Sequence, residues 1–226
     1  MKIQFLGHAC LLIETEDKKI LVDPFISGNP KNDTIKVEEI KTDYILLTHA
    51  HQDHVLDAEE IAKNNDALII SNAEIAAYYE KKGLKTHGMN TGGSYDFDFG
   101  RLTSTIAFHS SSFADGTYGG NPNGYILKVK DKQIYISGDT SLTYEMKYLP
   151  LLYGNIDLAV LPIGGNFTMD ALQASFAAEF LQTKRVLGYH YDTFPVIEIN
   201  HKESKEIFNQ KNTNLELLNI GEFLNI

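Results

Sequence analysis

The sequence predicts an α/β protein assembled from two similar halves, each with its sheet inside and its helices outside. Two observations carry that prediction. Each half opens with short runs of β-forming residues punctuated by turns, and each then passes into strands alternating with helical patterns. A chain of 226 residues with 43% hydrophobic side chains fits one hydrophobic core, so a single domain over 1–226 is the expected organisation.

In the first half, Lys2 to Leu6, Cys10 to Glu14 and Lys19 to Val22 read as a meander, the last run closing on Asp23-Pro24. Gly28, Asn29, Pro30, Asn32 and Asp33 mark a loop that leads to a buried-strand run, Tyr44 to Leu47. Helical spacing follows over Asp57 to Lys63 and Ala73 to Lys82, on either side of the apolar run Ala67 to Ile70. The second half returns to β character at Ser94 to Phe99, Leu102 to Phe108, Tyr125 to Val129 and Gln133 to Ser137. Asp131-Lys132 turns the last two runs into a hairpin. Leu158 to Leu161 then precedes a long helix from Met169 to Leu181, Arg185 to Gly188 forms a strand, His201 to Asn209 a helix, and Leu215 to Leu218 the last strand. No short-period repeat interrupts this order.

With 22% charged residues, 12 Tyr and 12 Phe, the composition is globular rather than disordered, collagenous or coiled-coil. No apolar run approaches the roughly 18 to 20 residues needed to cross a bilayer, and the start Met1 to His8 lacks a signal-peptide layout. A cytoplasmic protein without membrane association is the expectation. The one cysteine, Cys10, rules out an internal disulfide and a cysteine-built zinc site. Beside Leu11 and Leu12 it reads as a small buried residue rather than a nucleophile. Twenty basic against thirty acidic residues give a formal charge of -10, which opposes non-specific contact with nucleic acid phosphates.

The chemistry concentrates in Thr48-His49-Ala50-His51-Gln52-Asp53-His54, directly after a buried run, where α/β sheets place their sites. In an extended turn His49 and His51 point the same way and reach one metal ion, while Asp53 and His54 face a second. That is too many ligands for one open site and too few for two, so others must come from elsewhere. His109, Asp139 and His190 each follow an apolar strand run. Singly they read as turn, cap or hydrogen-bonded residues; collectively they complete a ligand set.

This order of residues resembles the signature of the metallo-β-lactamase superfamily, His-x-His-x-Asp-His followed by His, Asp and His, over essentially the whole chain. The resemblance implies a four-layer αββα sandwich of two mixed β-sheets flanked by helices. It implies that His49, His51 and His109 hold one divalent ion, that Asp53, His54 and His190 hold the other, and that Asp139 bridges them. Asp53 and Asp139 are then the catalytic residues of a metal-assisted hydrolysis by a bridging hydroxide, with Asp53 also handling the proton. Such a centre keeps a small net positive charge, which favours an anionic substrate or an oxygen that becomes anionic during attack. Nitrogen and oxygen ligation suits zinc first, with manganese or iron as alternatives.

Asp23, between a strand and Pro24, resembles the early aspartate that buttresses the metal-binding loop in this superfamily. The segments Gly7 to Cys10, Phe108 to Ser112, Gly119 to Gly124, Pro162 to Met169 and His190 to Pro195 are similar to bacterial and archaeal metal-dependent hydrolases related to ascorbate-6-phosphate lactonase. A departure is Asp170-Ala171-Leu172, where that branch implies a Gly-Pro start to the next helix, so the pocket edge differs there. His8 reads either as a hydrogen-bonded core residue or as part of the pocket. Ser110, Ser111, Ser112, Asn166 and Tyr191 are pocket candidates because they adjoin ligands or family-like segments. His87 and His201 read as surface residues, and Gly116 to Gly124 as a flexible loop or, less directly, a backbone approach to an anion.

The leading function is hydrolysis of a small ester, lactone or phosphate-containing metabolite. A phosphodiesterase or nuclease uses the same chemistry, but processing nucleases of this superfamily carry an inserted arm or extra domain for which this acidic chain has no space. The di-iron flavoprotein oxygen reductases resemble a His-x-Glu-x-Asp-His pattern, whereas His51 stands at the second position here and no flavin domain follows. A non-catalytic metal-binding module is the remaining class. Assembly into homo-oligomers is common among similar proteins, although no stripe of residues marks an interface.

Overall fold

The computed structural model describes residues 1–226. Its first half contains β1 (Lys2–Gly7), β2 (Cys10–Glu14), β3 (Lys19–Val22), β4 (Tyr44–Leu46), α1 (Gln52–Val55), α2 (Ala58–Asn65), β5 (Leu68–Ser71), α3 (Ala73–Glu80) and β6 (Thr86–Gly88). The second half contains β7 (Ser94–Phe97), β8 (Gly100–Ile106), β9 (Asn123–Val129), β10 (Lys132–Ile136), α4 (Tyr148–Tyr153), β11 (Leu158–Pro162), α5 (Ala171–Phe180), β12 (Arg185–Tyr189), α6 (His201–Asn209), β13 (Asn214–Glu216) and β14 (Phe223–Asn225). They form two seven-stranded mixed sheets, ordered β14-β1-β2-β3-β4-β5-β6 and β13-β12-β11-β10-β9-β8-β7. In the first, β14 to β3 pair antiparallel and β3 to β6 parallel; in the second, β7 to β10 pair antiparallel and β10 to β13 parallel.

Side-chain alternation along the strands builds the layers. Leu11, Ile13, Ile20 and Val22 join Tyr125, Leu127, Ile134, Val160 and Leu187 in a core between the sheets. Their neighbours Leu12 and Leu21 face the other way and pack with Ile61, Ile75 and Tyr79 of α2 and α3. In the second half, Tyr135, Ala159 and Val186 face Ala174, Ala178 and Phe208 of α5 and α6. Strands buried on both faces have no polar side, which is why they read as continuous apolar runs. No helix is long and apolar enough to cross a membrane.

Several sequence expectations are corrected. Leu215 to Leu218 is not the last strand: β13 ends at Glu216, and β14 follows, pairing antiparallel with β1 from Lys2 to Gln4. Its pattern, exposed, buried, exposed, carries no hydrophobic run, and only main-chain pairing with β1 and the single core side chain Leu224 hold it. Short β6 escapes for the same reason. Pro150 disguises α4, although it sits in the first turn, where a missing N–H costs nothing. The predicted strands ending at Phe99 and Phe108 stop at Phe97 and Ile106. Gly100 makes the intervening turn with φ +137°, and a Cβ there would meet the Lys128 carbonyl.

Cys10 is fully buried, and burial pushes its thiol well above the usual range. The native protein is therefore expected to resist a water-soluble thiol reagent at mildly alkaline pH, while the urea-unfolded chain reacts with one equivalent. Rapid labelling before unfolding would contradict that burial.

Candidate metal centre

Strands β1, β3 and β4 run in one sense within the first sheet, and β8, β10 and β12 in one sense within the second. The chain leaves their carboxyl ends through His8, Asp23, the His49 to His54 segment, His109, Asp139 and His190 respectively. Three of these residues hold left-handed backbone, His8 at φ 55°, Asp23 at 43° and His190 at 56°. Non-glycine residues accept that strain where surrounding contacts over-determine them, commonly at functional sites. The two sheets join here, because His190 N–H donates to the His8 carbonyl at 2.8 Å.

Extended backbone lasts only as far as His51. From Gln52 the chain turns helical as α1, with the His54 and Val55 N–H groups donating to the His51 carbonyl, so Asp53 and His54 do not continue the extended turn expected of them. This switch carries them toward a second position. Asp23, fully buried, holds the segment: its carboxylate accepts from Thr48 N–H at 2.8 Å, the Thr48 hydroxyl at 2.6 Å and His54 Nδ1–H at 2.8 Å. Because the Thr48 proton points to Asp23, Thr48 Oγ1 accepts from His49 Nδ1–H at 2.9 Å. The Nε2 atoms of His49 and His54 are thereby turned inward, His49 Nε2 as a lone pair and His54 Nε2 toward Asp139. His51 turns Nε2 to the Ser110 hydroxyl at 3.2 Å and presents Nδ1, 3.0 Å from His49 Nε2.

Two inward-facing ligand groups result, beside a fully buried third of Asp23, His49 and His54 in which the hydrogen-bond chain already uses the outer histidine nitrogens. Ligand atoms of His49, His51 and His109 lie within 4.8 Å of one another, as do those of His8, Asp53, His54 and His190. Asp139 Oδ2 stands between the groups, 3.0 Å from His190 Nε2, 3.4 Å from His54 Nε2 and 3.7 Å from His109 Nε2. The donor set fits divalent cations. His54 Nε2, both His190 ring nitrogens and Asp139 Oδ1 are buried without a hydrogen-bond partner, a costly arrangement in an apoprotein and an ordinary one around an ion.

Charge separates the two groups. Burial pushes His49, His51 and His109 below the usual histidine range. Burial also opposes charge on His54 and His190, but Asp139 and its neighbouring carboxylates overcome it, holding His54 well above the usual range and His190 up to about 9. Despite burial, the adjoining histidines keep Asp53 and Asp139 far below the usual carboxylate range. The carboxylates thus call for positive charge at the second group, supplied by protons or by an ion. Ion binding there should release protons at pH 7, and its apparent affinity should rise with pH toward about 9. The first trio, already neutral, should release almost none. Calorimetric titrations in buffers of differing ionisation enthalpy check this; two proton-neutral binding steps would contradict it.

The other sequence candidates have distinct places. Ser111 Oγ accepts from Ala50 N–H at 3.2 Å and donates to the Gly119 carbonyl at 2.9 Å, bracing the ligand loop from behind. Gly119 is packed so closely that a Cβ would strike Ala50 and Ser111, and the Asn72 side chain ties down the carbonyls of Gly119 and Asn121. The Gly116 to Gly124 segment is therefore fixed along this stretch. Asn166 is exposed in the loop after β11, with no side-chain hydrogen bond to the cluster. Tyr191 is buried, stacks on Phe5 and donates to the Leu218 carbonyl. Asp170, the departure from the family-like pattern, caps α5 by accepting from Gln173 N–H, so the helix starts without Gly-Pro. His201 is exposed and pairs with Asp192, while His87 is half-buried against Tyr95 and Phe97.

Sequence reasoning missed Thr193, whose hydroxyl meets His8 Nδ1 at 2.9 Å, and Asp57, which accepts from Ile26 N–H at 2.6 Å and Ser27 N–H at 3.0 Å and so fixes the chain after β3. Asp57 begins a helical pattern and signals only a cap. Thr193 lies in the family-like segment His190 to Pro195, but nothing there singles out its hydroxyl.

The chain is similar to known proteins over essentially its whole length. Residues 2–190 match the family described as the beta-lactamase superfamily domain. The UPF0173 metal-dependent hydrolase of Flavobacterium johnsoniae is 57% identical over 226 residues, covering 100% of both chains. The Bacillus subtilis UPF0173 metal-dependent hydrolase YtkL is 50% identical over 203 residues, 88% of each chain. Among solved structures, Igni18, a metallo hydrolase from Ignicoccus hospitalis, superposes with a TM-score of 0.89 at 34% identity, covering 99% of this chain and 97% of its own. With that match and these end-to-end relatives, the chain belongs to the β-lactamase superfamily, among its UPF0173 metal-dependent hydrolases.

Proposed function

We propose that the protein is a two-ion hydrolase, one catalytic domain over 1–226, acting on a small anionic ester, lactone or phosphate-containing metabolite. The observation that supports it most is the convergence of tautomer-locked histidines on two neighbouring points with Asp139 Oδ2 between them. His49, His51 and His109 would hold one ion, Asp53, His54 and His190 the other, and Asp139 would touch both. Divalent ions held there would supply Lewis acidity and make water more acidic; zinc is the first candidate, manganese and iron the alternatives.

The chain's own groups orient that chemistry. Asp23 and Thr48 fix the histidine tautomers, so donor lone pairs face inward before substrate arrives. Asp53, the more exposed of the two site carboxylates, would pass on rather than keep the proton that water loses on attack, because the adjoining histidines hold it far below the usual carboxylate range. An anionic substrate is favoured because the ions outweigh the site carboxylates, while the acidic surface disfavours a polyanion such as nucleic acid.

Elemental analysis of the purified protein, with ester, lactone and phosphodiester substrates assayed before and after chelation, tests the reading. About two equivalents of metal with chelator-sensitive hydrolysis of the first two substrates is expected. Preferred cleavage of the phosphodiester would move the function to the phosphodiesterase class. No bound metal, with no activity after each ion is added back, would overturn it.

A further inference from the structure

His8 occupies none of the seven ligand positions above, yet the fold places its ring inside the second group. Its side chain is fully buried, its ring centroid lies 4.1 Å from that of His190, and its Nε2 lies 3.0 Å from Asp53 Oδ2. Which nitrogen of His8 is free depends on its tautomer, and its Nε2 belongs to the same cluster of ligand atoms as Asp53, His54 and His190. The Thr193 hydroxyl can donate to the Tyr191 carbonyl at 3.3 Å, which leaves Thr193 Oγ1, 2.9 Å from His8 Nδ1, free to accept from it. In that tautomer Nε2 presents a lone pair to the Asp53 carboxylate. Two acceptors repel at that distance unless a cation sits beside both, and roughly 3 Å is the spacing of adjacent ligand atoms on one divalent ion with bonds near 2.1 Å. His49 and His54 show the same construction, with the outer nitrogen on an oxygen and Nε2 turned into the cluster.

We propose that His8 Nε2 is a protein ligand of the ion held by Asp53, His54 and His190. The two positions then differ in kind: the second has four protein ligands besides Asp139, the first only three. The second position accordingly fills first and accepts ions that favour high coordination number, while the first retains open positions for substrate. This inference rests on the two-ion reading and adds to it a ligand from the turn after the first strand.

The direct test is nitrogen NMR of isotope-labelled histidines in the full-length protein loaded with a spin-active cadmium isotope. Metal-bonded ring nitrogens show scalar coupling to cadmium. His49, His51, His54, His109 and His190 should couple, His8 Nε2 should join them, and His87 and His201 should not. The sixth coupled signal should vanish in His8→Asn, and cadmium affinity at the tighter position should fall by roughly 100-fold or more, beyond the 10- to 100-fold typical of losing an outer partner. If His8 Nε2 carries a proton and shows no coupling while the other five couple, His8 merely positions Asp53 and the proposal fails with the two-ion reading intact. If no histidine couples, the two-ion reading fails with it. The wild-type spectrum decides the matter even where the variant folds poorly.

Discussion

Replacing Asp139 with asparagine is expected to abolish turnover, lowering kcat/KM by more than about 10³-fold, because this carboxylate is the one group poised between both ligand sets. The amide keeps the shape and removes the charge. Without that charge, His54 and His190 lose the largest influence raising their proton affinity, and the two proposed ions would lose their common anionic ligand. Metal content should fall toward one equivalent, since the His49, His51 and His109 trio keeps its own donors. Elemental analysis beside steady-state kinetics checks both effects. Near-normal activity in a variant carrying its full complement of metal would remove Asp139 from the mechanism.

The second large effect is expected at Asp23, which touches no proposed ion. Alanine there strands the Thr48 N–H, the Thr48 hydroxyl and His54 Nδ1–H in a fully buried space, a loss of about 3–5 kcal/mol. For a chain of this size that corresponds to a fall in melting temperature on the order of 10 °C. Asparagine separates stability from tautomer. Its oxygen can still accept from Thr48 N–H, but its NH₂ group faces His54 Nδ1, so the imidazole proton moves to Nε2 and points where an ion should bind. Asp23→Asn should therefore melt closer to the wild type yet bind the second ion about 10- to 100-fold more weakly. Unchanged metal affinity in the asparagine variant would show that Asp23 only fills space.

Much of this was legible in the chain itself. Leu11, Leu12 and Ile13, or Ile20, Leu21 and Val22, are apolar on both faces of their strands, and only a sheet covered on both sides accommodates that pattern. The clustering of the candidate site residues was equally visible, because strands running in one sense deliver the residues that follow them to the same end of their sheet. Residue type and strand order thus determined the layers and the place where these side chains meet.

Tertiary structure decided what depends on partners distant in sequence. His8 lies 45 positions from Asp53 and 185 from Thr193, and only the meeting of the two sheets gives its ring both contacts. Alone, it is equally a core histidine and a site residue. The proton positions on His49 and His54 follow from Asp23 and Thr48, so which nitrogen faces inward is a property of the assembled hydrogen-bond chain and not of any local motif. Strands β6 and β14 and helix α4 likewise have no apolar period of their own. They exist because a neighbouring sheet edge offers unpaired main-chain groups, or because a packed surface covers one side of a single turn, and neither is written in the residues that respond to it.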